Sequence, residues 1–207
     1  MVEAEVSGMG VAIRRAGEGD REAVTRLLDD AFQNDPVSSW VFPDAGDRRR
    51  THPLLMGAFL GIVLEAGYVD VTEDGSACAL WLSVPAEAHE EDEDGPAQIR
   101  EVVDPDNERI EQIAQLTAQV HPAGTAHEYL WMIAVSPERQ GEGLGTALIQ
   151  HVLDRCDREH LPAYLEASSA RSRTLYERLG FTFMDRTLDL PDGPPMWPMW
   201  RDPAPHA

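Results

Sequence analysis

Apolar positions recur along this 207-residue chain at two spacings, every three to four residues in some stretches and every second residue in others. Val11 and Ile13, with Arg14 and Arg15 behind them, predict a first strand that Gly17-Glu18-Gly19-Asp20 turns. Val24, Leu27, Leu28, Ala31 and Phe32 then follow at helical spacing, with Asp20 as the expected N-cap and Asp35-Pro36 as the stop. After Trp40 and Phe42 comes a turn cluster, Pro43-Asp44-Ala45-Gly46, and a helix expected from Asp47 to about Ala66, ended by Gly67. Tyr68–Val71 and Cys78–Val84 predict two short strands around Glu73-Asp74-Gly75.

The acidic stretch from Glu87 to Asp94, followed by Gly95-Pro96, predicts a solvated loop before a helix from about Asn107 to Val120. Tyr129 to Val135 is a strongly apolar strand. The helix expected from Leu144 to Cys156 places Leu144, Leu148, Val152 and Cys156 on one stripe. Tyr164–Ala167 predicts another strand, Arg173–Leu179 a short helix, and Phe181–Leu190 pairs with Met196–Trp200 across Pro191-Asp192-Gly193. Pro198 lacks a donor, which marks the last strand as an edge or bulged one. Residues 1–10 and the tail 202–207 read as fraying ends. The expectation is one mixed α/β domain over residues 11–201.

Charge narrows the function. Asp and Glu number 37 against 17 Lys and Arg, a net charge of −20. Such a surface repels a phosphate backbone, so nucleic acid is excluded as a partner, and it attracts small cations. The longest apolar run, Leu54 to Leu64, has eleven residues, too few for a helix to cross a bilayer core of roughly 30 Å. No membrane partner is expected. Glu3 and Glu5 lie where a signal peptide needs apolar residues. Cys78 and Cys156, far apart, give no disulfide framework; they read as core fillers in a reducing cytoplasm.

No metal is expected either. Glu90, Asp92, Asp94, Gly95 and Glu101 fall at the offsets of a calcium loop, yet Pro85 denies it an incoming helix. His127-Glu128 begins like a zinc motif, but Trp131 stands where the second His belongs. Trp40, Phe42 and Trp81 read as core. Arg48-Arg49-Arg50 reads as a solvated helix start, with pairing to a cofactor phosphate as the alternative.

The chemistry concentrates in Val135-Ser136-Pro137-Glu138-Arg139-Gln140-Gly141-Glu142-Gly143-Leu144-Gly145-Thr146. A strand ends, a loop follows, and a helix opens among three glycines. Unpaired N–H groups at a helix start bind phosphate oxygens without any Lys, and glycines let the anion approach the main chain. The Lys of a Walker loop is missing, and the spacing is G-x-G-x-G instead of the dinucleotide G-x-G-x-x-G. A glycine-rich turn that holds no ligand is the plain alternative.

Gln140 to Gly145, reading Q-x-x-G-x-G after an apolar strand, resembles the acetyl-CoA signature of the GNAT superfamily of N-acetyltransferases. Downstream, Tyr164-Leu165-Glu166-Ala167-Ser168 and Leu175-Tyr176-Glu177-Arg178-Leu179-Gly180-Phe181 resemble that superfamily's second hallmark. Within it, the stretch from His127 to Trp200 is similar to the branch that contains puromycin N-acetyltransferase. The resemblance implies a twisted, mostly antiparallel sheet flanked by helices, with two central strands splayed to admit acetyl-CoA as co-substrate.

It implies roles as well. Main-chain groups of Ile133, Ala134 and Val135 pair with the pantetheine arm, and Gln140, Gly141, Gly143, Leu144, Gly145 and Thr146 cradle the pyrophosphate. Ser172 stands where the family has a cofactor-contacting Asn. Tyr176 protonates the departing thiolate. The base is Glu166, Glu128 or a water chain; Glu128 and Val135 fall on opposite faces of their strand unless a bulge intervenes. The region 35–42 lines the acceptor pocket by the same analogy. The implied activity is direct acetyl transfer to the amine of a small cationic molecule, an antibiotic-like substrate among the candidates. A protein N-terminus or lysine as acceptor, and a silent acyl-CoA-binding module, are the alternatives. Acceptor identity and oligomeric state are not written in the sequence.

Overall fold

The computed structural model describes residues 11–87 and 95–205. The expected fraying of residues 1–10 and most of the acidic stretch 87–94, with the last two residues of the tail, lie outside these. In chain order the elements are β1 (Ile13–Arg15), α1 (Arg21–Phe32), α2 (Pro36–Val41), α3 (Ala45–Ala66), β2 (Tyr68–Thr72), β3 (Ala77–Val84), α4 (Gly95–Val103), α5 (Glu108–Val120) and β4 (His127–Val135). There follow α6 (Leu144–Glu159), β5 (Ala163–Ala167), α7 (Ala170–Arg178), β6 (Thr182–Phe183), β7 (Leu188–Asp189) and β8 (Pro195–Arg201). None of these helices is long and apolar enough to cross a membrane.

The strands form an open mixed sheet in the order β1-β2-β3-β4-β5-β8-β6, with β7 against the start of β8. Every pairing is antiparallel except β4 with β5. Two cores cover its faces. One joins α1, α2, α3 and α5 through Leu28, Trp40, Met56, Leu60 and Ile110. The other seats α6 and α7 through Leu148, Ile149, Leu153 and Tyr176. Cys78 and Cys156 are buried and free, as expected, and burial pushes their thiols up to about 12 and about 11.

Five local readings are corrected. Asp20 does not cap α1 with its side chain; it accepts from the Gly17 N–H and from Arg14, closing the turn before the helix. Asp35-Pro36 ends one helix and starts another: the Asp35 carboxylate accepts the Val37 N–H at 2.8 Å as N-cap of α2, whose first residue is Pro36. Gly95-Pro96 likewise opens α4. Finally, β8 is internal, paired to both β5 and β6. Pro198 fits there because its carbonyl accepts from Met184, just past the last pair of the two-residue β6. The missing donor therefore faces a ladder that has already ended. The start of the tail is anchored, since the Ala204 N–H donates to Asp157 at 2.7 Å.

Gly67 does end α3, but through lack of space, not a left-handed turn. A Cβ there would lie 2.1 Å from the carbonyl oxygen of Trp81 on the adjacent strand.

Candidate active site

The parallel pair β4–β5 is joined only at Glu128↔Ala163 and Tyr129↔Tyr164. Beyond Tyr129, β4 continues to Val135 with its β5-facing edge outside any ladder among the described residues. The fork opens into a cleft of about 1110 Å³ that reaches both faces of the sheet.

A β-bulge sets what each face sees. Leu80 pairs with Met132 and Trp81 with Leu130, so Trp131 is the extra residue on β4. Trp131 and Met132 thus both join the α1–α3 side, while Ile133 and Val135 join α6. The bulge also brings Glu128 to the α6 side with Val135. There its carboxylate, 2% exposed, accepts from Tyr68 at 2.6 Å and Ser83 at 2.9 Å and pairs with Arg155 at 3.1 Å. Glu128 ties three elements together and does not line the cleft.

The glycine loop lies at the α6 end of the cleft. Gln140, Gly141, Gly143, Leu144, Gly145 and Thr146 all line it. Gly141 and Gly143 have φ of 89° and 85°, and the space where a Cβ would stand is open at both. Only glycine adopts such angles readily beside an approaching anion. The first α6 bond closes from the Ala147 N–H to Gly143 at 2.9 Å, leaving the preceding N–H groups directed out of the helix start. Gly145 presses α6 onto β4, its Cβ position 3.5 Å from Val135. Ile133 and Val135 line the cleft, whereas the Ala134 side chain is buried on the opposite face and only its main chain is available.

Glu166 enters from β5 on the α1–α3 side. Tyr129 and Tyr164 donate to its two oxygens at 2.7 and 2.9 Å. Burial pushes its carboxyl up to about 7 against the opposing pull of those two hydroxyls. Tyr176 reaches the cleft from α7; burial first, and the nearby Asp35 carboxylate second, raise its phenol above the usual range. Ser172 also lines the cleft, yet its hydroxyl donates to the Ser169 carbonyl at 2.9 Å and accepts the Ser169 N–H at 3.2 Å, completing the cap of α7. That cap uses the proton which the resemblance assigns to the cofactor.

Sequence reasoning gave no individual role to three residues that line the cleft, although the first falls in the 35–42 region assigned to the acceptor pocket. Asp35 is one: Ser168 donates to its free oxygen at 2.8 Å, and burial raises its carboxyl, so a second carboxylate faces the cleft beside Tyr176. The signal was present in Asp directly before Pro, an N-cap pattern. The others are Arg171 and Arg178, the only cationic side chains lining the cleft among the described residues. In the region 35–42, Asp35, Val37, Ser38 and Val41 line it, while Trp40 and Phe42 are core. His52, fully buried, bridges Asp29 at 2.6 Å and Ser38 at 3.1 Å and so fixes α2 to α1 and α3. Arg48 and Arg50 are engaged locally, with the Phe42 carbonyl and Asp47, away from the cleft. No cluster able to hold a metal occurs among the described residues.

Residues 71–181, more than half the chain, match the family model for the Acetyltransferase (GNAT) family. The chain belongs to the GNAT acetyltransferase family. Among solved structures, this GNAT protein is similar to the histone acetyltransferase HPA2 and related acetyltransferase of Corynebacterium glutamicum. Identity there is 26% over 96% of this chain and 99% of that one, with a TM-score of 0.72. It shares the fold of arylalkylamine N-acetyltransferase 2 from Aedes aegypti, at 16% identity over 92% and 97% of the two chains and a TM-score of 0.65. Among curated relatives, the [ribosomal protein bS18]-alanine N-acetyltransferase of Escherichia coli is 44% identical over 55 residues, 25% of this chain and 37% of that protein. The chain thus aligns with well under half the length of such curated relatives.

Proposed function

We propose that this protein transfers the acetyl group of acetyl-CoA to the primary amine of a small cationic molecule, with both substrates bound together. The observation that carries this is the fork: β4 leaves β5 after Tyr129 and opens the cleft onto the glycine loop. The unladdered edge at Ile133–Val135 suits an added strand such as the pantetheine arm. Gly141 and Gly143 leave room for a pyrophosphate at the start of α6, with Arg171 and Arg178 as counter-charges. Acetyl-CoA supplies an acyl group already activated as a thioester.

The residues then divide the proton work. Glu166 takes the proton of the ammonium, which is otherwise lost only near pH 10, and Asp35 holds the cation beside it. The C–N bond forms as the C–S bond breaks, Tyr176 gives its proton to the departing sulfur, and the second proton shed by the acylated nitrogen restores the Tyr176 phenol, leaving amide and thiol. An acyl-cysteine route is disfavoured, because both thiols are buried and raised. The buried free thiols suit a reducing cytoplasm. Kinship to the puromycin N-acetyltransferase branch is the finer form of this reading.

The test is thiol release from acetyl-CoA over aminonucleosides, arylalkylamines, polyamines, aminoglycosides and peptides. Turnover with a small amine is expected, and Tyr176→Phe is expected to lower kcat about 100-fold with little change in acetyl-CoA affinity. Binding of CoA with no turnover on any amine overturns the reading in favour of a silent module.

A further inference from the structure

The two ends of the cleft differ in chemistry. Arg171 and Arg178 on α7 and the glycine loop before α6 line it from the α6–α7 face. On the α1–α3 face the wall is mostly carbon, from Phe32, Phe59, Ile62, Ile99, Val102 and Trp131, with Ser38, Gln98 and Thr117 as its polar members. Phe59 and Trp131 have ring centroids 4.9 Å apart at 45°. Val102 is 77% exposed and Ile62 36%, so apolar side chains continue to the rim. The charged side chains lining this end are all carboxylates, Asp35, Glu65 and Glu166.

We propose that the acceptor is a primary amine on an aromatic body. Its ring lies against Phe59, Trp131 and Ile99, and its ammonium points at Asp35 and Glu166. The inference rests on the N-acetyltransferase reading above and adds the substrate class. Three rival acceptors fit worse. A polyamine could set a second ammonium at Glu65 but would leave the rings uncovered, an aminosugar would strand most of its hydroxyls against carbon, and a peptide its backbone groups. An aromatic body instead covers the exposed carbon, and the rings offer it edge and face contacts. Trp131 is central because the bulge turns it to this side.

The experiment compares kcat/KM for 2-phenylethylamine, ethylamine, spermidine and a lysine peptide. The phenyl amine is expected to exceed the other three by about tenfold or more. Trp131→Ala is expected to raise its KM about tenfold while the KM for acetyl-CoA holds. Val102→Lys, on an exposed rim position that cannot disturb the core, is expected to raise the same KM. Preference for spermidine or the peptide, with neither variant changing the amine KM, overturns the aromatic assignment and leaves the N-acetyltransferase reading standing. Release of thiol with no amine at all overturns both.

Discussion

Glu128 and Glu166 each accept hydrogen bonds from tyrosine hydroxyls, yet they face opposite sides of the sheet. Glu128 is matched by a cation, Arg155, and Glu166 by neutral donors alone. Burial raises the Glu166 carboxyl to about 7 against the pull of those donors. The proposed role as proton acceptor then carries a pH signature: kcat/KM should rise as pH climbs through about 7. Stability runs the other way. The folded pKa lies above the unfolded value, so the contribution is whole below pH 4 and lost as pH rises through about 7. Glu166→Gln is therefore expected to abolish the rising limb of the rate profile. At pH 8 it should also stabilise the fold by on the order of 3 kcal/mol, read by denaturant titration. A variant that loses activity and stability together would place Glu166 in the framework only.

At the scale of elements, the start of α6 couples backbone strain to binding. Gly143→Ala puts a Cβ into the open space over the loop and into a left-handed angle that costs about 1 kcal/mol. The expected result is an acetyl-CoA KM raised about tenfold by calorimetry and steady-state kinetics, with kcat nearly unchanged. Much of this element plan was legible. Helices with a one-sided stripe, such as α1, α5 and α6, declare themselves by spacing, and the glycine loop by its interruption of that spacing. What escaped was short or set by partners. α2 holds six residues and rests on a cap and on His52; the place of β8 depends on partners 16 to 38 residues away. Glu166 was legible through its motif. Asp35 fell within the region assigned to the pocket, but its carboxylate was not singled out, because a stop for one helix and a cap for the next are spelled by the same two residues.

The whole molecule carries a net charge of −20, and its two proposed substrates have opposite signs. A cationic amine is drawn to this surface and the polyanionic acetyl-CoA is repelled by it, both through fields that salt screens. Raising ionic strength from about 20 mM to about 300 mM should therefore raise the KM for the amine and lower that for acetyl-CoA, each by severalfold. Parallel movement of the two constants would show that local contacts outweigh the overall field.

The bulge at Trp131 has a consequence for how such a protein changes over generations. Because the doubled residue stands between two stretches that keep ordinary alternation, swapping it leaves the phase of both ends untouched. If the strand holds acetyl-CoA by its edge as proposed, a change of side chain at Trp131 alters the proposed amine pocket while the Ile133–Val135 edge keeps its register.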